Sequence, residues 1–276
     1  MPELPEVETI RRSLVPVVLH KPIEAAEIHY AGIVRQMGVE ALQAALVGNQ
    51  FVDLSRRGKY LLFQLADHRE LVAHLRMTGR LIYFSDRKIP RAKHTSAVFD
   101  FGGQGQLRLE DVRKFATLDL VPRGNYEQIK GLFNLGVEPL SAEFSLQLFR
   151  ELLQGRTAKI KGLLLDQSKL AGLGNIYADE SLFAAGIHPE RPAGSLTKKE
   201  ERRLYASIRA VLTEAIANQG TTFRDYRTGY GQEGSFQNKL RIYGKKGELC
   251  PRCQTAVEHM KVAGRTSHYC PNCQKE

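Results

Sequence analysis

The sequence predicts an α+β protein of several domains: an N-terminal β-rich domain with flanking helices, a helical middle and a C-terminal cysteine-bearing hairpin. Three observations predict it. Short β-rich runs recur up to about residue 125, helical periodicity follows, and all four cysteines crowd into residues 250–273. The 276 residues suit about two domains or slightly more, each able to bury a core. Hydrophobic residues at 42% and charged residues at 25% are ordinary for a globular chain and exclude wholesale disorder or a coiled coil along its length.

The first helix is expected to begin at Pro5, a residue favoured in a first turn, with Glu6 and Glu8 at the positive end of the helix dipole and Val7, Ile10 and Leu14 at helical spacing. Val39–Val47 forms a second helix. The β-rich runs are Gln50–Arg56, Lys59–Ala66, Glu70–Met77, Gly79–Phe84, Thr95–Phe101, Gln106–Glu110 and Phe115–Val121, separated by Gly, Asp and Pro. Seven or eight strands at that spacing imply a sandwich or a barrel over residues 1–125. From there to residue 238 the pattern is helical, with segments expected at 125–132, 145–154, 158–166, 175–185 and 197–218. Residues 219–238 form a Gly- and Thr-rich tail to this domain. The last domain, 239–276, is a hairpin carrying the cysteines.

The net charge of +10 is unevenly placed. Residues 54–93 carry +7 and residues 239–265 carry +5, leaving the rest of the chain slightly acidic. Two basic patches fit a polyanionic partner, because neutralising phosphates releases counterions and supplies sequence-independent nucleic-acid affinity. No aliphatic stretch approaches the roughly 18 apolar residues of a membrane span. The acidic start Met1–Glu8 lacks the basic-then-apolar pattern of a secretory signal, so a cytoplasmic protein without a membrane partner is expected.

Cys250 and Cys253 form one CxxC pair, Cys270 and Cys273 another, with sixteen residues between. That spacing suits one structural Zn²⁺ held by four thiolates, each knuckle giving two ligands. Disulfides do not suit a reducing compartment, and a redox CxxC needs no second copy. Four thiolates leave zinc no open position, so the chemistry lies elsewhere.

Pro2 offers that chemistry. Its small side chain permits removal of Met1, which exposes a secondary amine. An α-amino group with a pKa of about 8 is neutral in roughly one molecule in ten at pH 7, against roughly one in a few thousand for lysine at about 10.4. Attack of a secondary amine on an aldehyde-level carbon gives a charged iminium, an electron sink that acidifies the adjacent C–H and enables elimination. Glu3 and Glu6 stand nearby for proton transfer.

Six segments in order carry a resemblance across nearly the whole chain. They are Pro2–Thr9 (PELPEVET), Arg56–Tyr60 (RRGKY), His74–Arg80 (HLRMTGR), Asp111–Phe115 (DVRKF), Gly172–Glu180 (GLGNIYADE) and the four-cysteine finger. In these the chain resembles the bacterial formamidopyrimidine-DNA glycosylases. The resemblance implies a monomeric, bifunctional glycosylase and abasic-site lyase of base excision repair, acting on double-stranded DNA with damaged bases or abasic sites. It also implies an N-terminal β-sandwich, a helix-two-turn-helix domain, a zinc finger, and DNA held between lobes.

It further implies roles for individual residues. Pro2 is the Schiff-base nucleophile and Glu3 the general acid/base for opening the sugar ring. Lys59 contacts phosphate and assists elimination, and Arg265 grips phosphates beside the lesion. Asn175, after Gly172 and Gly174, is a phosphate ligand; His74, His94, Arg113, Arg156 and Lys161 are further DNA contacts. Because a glycosylase must extrude its nucleotide, something fills the gap. Met77, Arg113 and Phe115 match the residues that do so, as void filler, partner of the orphaned base and wedge. Thr221–Tyr230, and within it Thr222, Phe223, Arg224, Asp225 and Tyr226, resembles a lid over the flipped base. The start Pro2-Glu3-Leu4-Pro5, unlike the usual Pro-Glu-Gly-Pro of the sister endonuclease VIII group, points to oxidised purines such as 8-oxoguanine and formamidopyrimidines, followed by β,δ-elimination. An endonuclease VIII-like enzyme for oxidised pyrimidines and a non-catalytic zinc-ribbon DNA-binding protein are the alternatives.

Overall fold

The computed structural model describes residues 1–275. In chain order the elements are α1 (Leu4–Val18), β1 (Ala25–Ile28), α2 (Val39–Leu46), β2 (Phe51–Arg57), β3 (Tyr60–Leu65), β4 (Arg69–His74), β5 (Gly79–Phe84), β6 (Thr95–Asp100), β7 (Gln106–Asp111) and β8 (Thr117–Pro122). They continue with α3 (Lys130–Phe133), α4 (Leu146–Leu153), α5 (Ile160–Leu165), α6 (Asn175–Ala185), α7 (Lys198–Ala217), β9 (Glu258–Val262) and β10 (Arg265–Tyr269). No helix among the described residues is long and apolar enough to cross a membrane.

The chain divides into two compact units, Met1–Phe133 with Asn218–Gln237, and Asn134–Ala217 with Asn238 onward. In the first, two four-stranded antiparallel sheets, ordered β1-β6-β7-β5 and β2-β3-β4-β8, make a sandwich. Alternate residues of both sheets, Phe51, Phe63 and Leu71 on one and Phe99, Leu107 and Leu109 on the other, share a single core. Phe51 meets Phe99 edge-on at 6.3 Å and bridges the two sheets. Val7, Ile10, Leu14 and Val18 of α1 and Leu42 and Leu46 of α2 close that core, because their three- and four-residue spacing gives each helix one apolar stripe.

The partition differs from the sequence reading at residues 219–238. Those residues were expected with the helical domain, but Asn218–Gln237 folds with the sandwich. Tyr226 is buried in the sandwich core, Gly229 accepts from the Tyr83 amide of β5 at 2.8 Å, and its own N–H donates to Ser13 of α1 at 2.9 Å. A polar, aperiodic segment is thereby tied down by one ring and a few main-chain bonds, which periodicity does not register.

The second unit packs α4, α5, α6 and α7 with the β9–β10 hairpin. Ala263 and Gly264, at φ 50° and 72°, form its two-residue turn. Both positive φ values match the twist of a hairpin, and glycine at the second position accepts it without strain.

Candidate active site and nucleic-acid interface

At the start of the first unit, Glu3 is the N-cap of α1 in an extended conformation, and its side chain takes the Glu6 amide proton. Glu6 reciprocates by accepting from the Glu3 N–H at 2.8 Å. Pro5 occupies the first turn, where no N–H is needed. Behind a half-exposed Met1 the chain start packs into the protein: Pro2 is buried and Glu3 is only 3% exposed. Glu6 accepts a second bond, from the Thr221 N–H at 2.7 Å, which links the capping box to the 218–237 segment. One turn on, Glu8 ties α1 to β2. Burial pushes its carboxyl up, but hydrogen bonds from Arg11 and Arg12 and the charge of Arg56 outweigh that and hold its pKa at about 2.

Lys59 closes the β2–β3 turn behind Gly58, whose φ of 58° is left-handed. The Arg56 guanidinium donates to the Gly58 carbonyl at 2.9 Å and fixes this turn. Lys59 is 8% exposed, so it does not trail into solvent as an edge-strand lysine does. His74, at the end of β4, is also buried, edge-on to Tyr60 at 4.4 Å, with Nδ1 accepting the Arg76 N–H at 2.9 Å. Burial, with Arg76 and Lys59 adding to it, lowers its pKa to about 3. A neutral imidazole offers no charge to a phosphate, so any DNA contact by His74 is a hydrogen bond.

Met77, Arg113 and Phe115 lie on two neighbouring loops. Met77 sits in the β4–β5 turn, not in the strand that the sequence predicted, because Arg76 at φ 52° ends the extended run. Gly79 starts β5 so close to this turn that a Cβ there would stand 2.5 Å from the Leu75 carbonyl oxygen. Arg113 Nη1 reaches the Met77 sulfur at 3.3 Å, while Met77 and Phe115 are 38% and 52% exposed. Val112, 54% exposed, lies beside them, so this pair of loops carries three exposed apolar side chains together.

Asp111 holds the tip in shape. Its fully buried carboxylate accepts from Thr78 Oγ1 at 2.5 Å, from the Arg113 N–H at 3.2 Å, and from the Phe115 and Ala116 N–H groups at 2.7 Å each. Its own N–H donates to the His94 carbonyl at 2.9 Å, which fixes half-buried His94 beside the loop. The sequence reading assigned Asp111 no role. The available signal was an acidic residue at the end of a strand, one position before the basic pair Arg113–Lys114.

In the second unit Gly172, at φ 92°, and Gly174 lead into α6 with Asn175 as its first residue. Asn175 donates to the Thr266 carbonyl of the hairpin at 2.9 Å, and Lys161 donates to the same oxygen at 3.1 Å. Lys161, put forward as a DNA contact, is 0% exposed and ion-paired with Asp179 at 2.6 Å. Asp179 also accepts the His268 N–H at 2.9 Å. Glu180 gathers three more amides, those of Arg241, Ile242 and Tyr243, at 2.9–3.1 Å. Together these groups clamp the hairpin to α5 and α6, leaving Arg265 exposed at its tip and Arg156 exposed after α4. Asp179 and Glu180 were not singled out from sequence as individual site residues, since, beside the Lys161 ion pair, the groups they hold are main-chain amides about 60 to 90 residues away.

The four cysteine sulfurs lie within 4.8 Å of one another. Cys250 and Cys273 are 3.9 Å apart and Cys253 and Cys270 3.4 Å, close to the roughly 3.8 Å edge of a tetrahedron with zinc–sulfur bonds of about 2.3 Å. The Arg252 and Cys273 amides point at Cys250 and Cys270 sulfurs at 3.4 Å, as in a metal knuckle. Crowding splits the thiols. Hydrogen bonds led by Thr255 lower Cys253 to about 5, while burial and the other sulfurs raise Cys273 to about 12. Four thiolates at this separation need a cation, and this cluster fits one structural Zn²⁺.

Family models match three stretches of the chain: the formamidopyrimidine-DNA glycosylase N-terminal domain over residues 1–118, the glycosylase's H2TH domain over 135–227, and the zinc finger found in Fpg and isoleucyl-tRNA synthetase over 244–275. Proteins named formamidopyrimidine-DNA glycosylase from Heliobacterium modesticaldum and Brevibacillus brevis are 50% and 49% identical over 277 aligned residues, covering all of this chain and 100% and 99% of theirs. Among solved structures, the Fpg protein of Thermus thermophilus aligns with a TM-score of 0.89 at 43% identity, covering 99% of this chain and 98% of that one. A Lactococcus lactis Fpg mutant bound to Fapy-dG DNA aligns with a TM-score of 0.91 at 42% identity and full coverage of both chains. The wild-type Lactococcus enzyme, solved with oxidised-pyrimidine DNA, aligns at 0.90 and 41% identity, again over the full length of both.

Proposed function

The chain belongs to the formamidopyrimidine-DNA glycosylase family, and with that as premise we propose how its own residues remove a damaged base. It is a DNA glycosylase of base excision repair with one structural zinc, and damaged duplex DNA is its partner. The observation that carries the mechanism is the burial that begins at the second residue: chain ends ordinarily fray in solvent, whereas here Pro2 and Glu3 are packed inside behind a half-exposed Met1, and a reciprocal capping box locks Glu3 to Glu6.

Removal of Met1 exposes the Pro2 amine. The flipped nucleotide places C1′ against that nitrogen, a C1′–N bond forms as the glycosidic bond breaks with its electron pair leaving on the base, and the amine's N–H proton passes to the departing base. Glu3 delivers a proton to the ring oxygen O4′ as the sugar opens, which leaves an iminium between Pro2 and C1′. A general base removes a C2′ proton, the C–H electrons pass into the iminium to give an enamine that expels the 3′ phosphate, and removal of the C4′ proton in a second elimination expels the 5′ phosphate. Lys59 and Arg265 neutralise phosphate charge during both steps. Met77 and Phe115 fill the vacated stack while Arg113 hydrogen-bonds the orphaned base. Asn175, His94 and Arg156 engage the backbone, and the zinc holds the hairpin that presents Arg265. The natural substrate is bacterial chromosomal DNA, so the enzyme works in the cytoplasm beside the nucleoid.

Oxidised purines are the preferred bases on this reading, carried by the Leu4 start. The Lactococcus relative's complex with an oxidised pyrimidine makes that class the competitor to measure. Purified enzyme should excise 8-oxoguanine and formamidopyrimidine faster than an oxidised pyrimidine in the same duplex, and Glu3→Gln should bind each duplex without excising. A faster pyrimidine would reassign the substrate class, and a fully active Glu3→Gln would remove its role.

A further inference from the structure

We propose that Arg80 is a positioning residue that latches the lid segment to β5 through Asp225. The inference rests on reading residues 221–230 as the lid over the flipped base.

Arg80 Nη2 stands 3.5 Å from Asp225 Oδ1, with the two side chains 26% and 29% exposed. Arg80 Nε is sealed from solvent without a hydrogen-bond partner, so the inner part of the side chain is fixed against the sheet while its outer end reaches the lid. Across the sheet, Arg80 pairs in register with Glu110 of β7. Burial raises the Glu110 carboxyl and the Arg80 charge pulls it back down. The guanidinium thus stands between two carboxylates, one built into the sandwich and one carried by the lid. Asp225 is the sole acidic residue of Thr221–Tyr230.

The rest of the segment is anchored through the main chain and one ring. Thr221 donates to Glu6 at 2.7 Å and Thr222 to Gln237 at 3.0 Å, while Tyr226 is inserted in the sandwich core with its hydroxyl on the Gln219 carbonyl at 2.9 Å. Between these anchors only three residues are left, Phe223, Arg224 and Asp225. Phe223 is exposed at the tip. Within this short span Arg227 donates to the Arg224 carbonyl at 3.2 Å, and the Arg80–Asp225 pair is the ion pair that ties it to β5. Peptide N–H groups read a base only when their planes are held in place beforehand, and the latch supplies that restraint. An abasic site presents no base to the lid, so the latch should matter for base removal and not for cleavage at a preformed abasic site.

The test is a double-mutant cycle on Arg80→Gln and Asp225→Asn, with single-turnover rates on a duplex carrying 8-oxoguanine opposite cytosine and on the same duplex with a preformed abasic site. Each single variant should slow excision about two- to fivefold, the range a partly exposed ion pair is worth. The double variant should be no slower than the worse single one. Abasic-site cleavage should stay at the wild-type rate. Hydrogen exchange at amides 222–226 should speed up by a similar factor in both singles. Equal losses on both substrates, multiplied losses in the double variant, or unchanged exchange each overturn the proposal. If wild-type enzyme cleaves the abasic duplex but excises no oxidised purine, the substrate reading fails instead, and the exchange comparison still decides whether the pair holds the segment.

Discussion

Asp111 offers the sharpest test of the gap-filling loop. Its Oδ2 holds the Phe115 and Ala116 amides, which cannot invert, while its Oδ1 holds the Thr78 hydroxyl and the Arg113 amide. Arg113 has a second acceptor in Thr78 Oγ1 at 3.1 Å. Asp111→Asn can therefore keep its oxygen on Phe115 and Ala116 and turn its NH₂ toward Thr78, so the network survives without its charge. Two hydrogen bonds to a charged acceptor then become neutral ones, a loss of about 1 kcal/mol each. The ordered loop is destabilised by about 2 kcal/mol, which caps the slowing of base excision at roughly 30-fold. Asp111→Ala leaves both amides buried without acceptors, at about 1–3 kcal/mol each, and should be slower again. The assay is single-turnover excision of 8-oxoguanine, with a fluorescent base analogue opposite the lesion to report insertion of the wedge. An Asp111→Ala enzyme that melts like the wild type and excises within threefold of its rate would refute the argument, as would Asn slower than Ala.

Two further predictions follow from buried charges. With its folded pKa near 3, His74 should stay neutral at working pH, so its ring resonances should not titrate between pH 5 and 8; a midpoint near 6.5 would contradict the burial argument. Because the unfolded imidazole takes its proton first, at about 6.5, this residue makes the fold lose stability as pH falls from about 6.5 toward 3 and adds no pH dependence above that window. Lys161→Met should strand Asp179 and cost about 3–5 kcal/mol in denaturant unfolding. Lys161→Met with Asp179→Leu should regain part of that, less the His268 amide left without its acceptor. A single variant within 1 kcal/mol of wild type would show the pair to be dispensable.

The parts of this protein legible in its sequence are those with a local signal. The strand runs and α2, α4 and α7 match their hydrophobic periodicity to within a few residues, α6 lies between Gly174 and Gly186, and the CxxC spacing marks the sulfur cluster. Strand β1, Ala25–Ile28, was missed because two alanines and a glutamate give it neither β propensity nor alternation; its place comes from pairing with β6. The helix expected at 125–132 shortens to α3, since Asn125 and Tyr126 are spent on turn bonds and on Glu70. At the site, the family resemblance placed Lys161 among the DNA contacts. Its role is set by Asp179 eighteen positions on and by the hairpin beyond residue 258, contacts that only the folded chain creates. Asp111 and Glu180 are similar: each is a carboxylate that organises main-chain amides, and amides carry no residue-specific signature in a sequence.

The central claim is that Pro2 is the nucleophile, and covalent trapping tests it most directly. Protein shown by mass to begin at Pro2 is mixed with a duplex containing 8-oxoguanine opposite cytosine, treated with borohydride, digested, and the cross-linked peptide is sequenced. The account predicts one reduced adduct joining the Pro2 nitrogen to the sugar. An adduct on Lys59 or another lysine with Pro2 unmodified, or no adduct from enzyme that still releases the base, would contradict it.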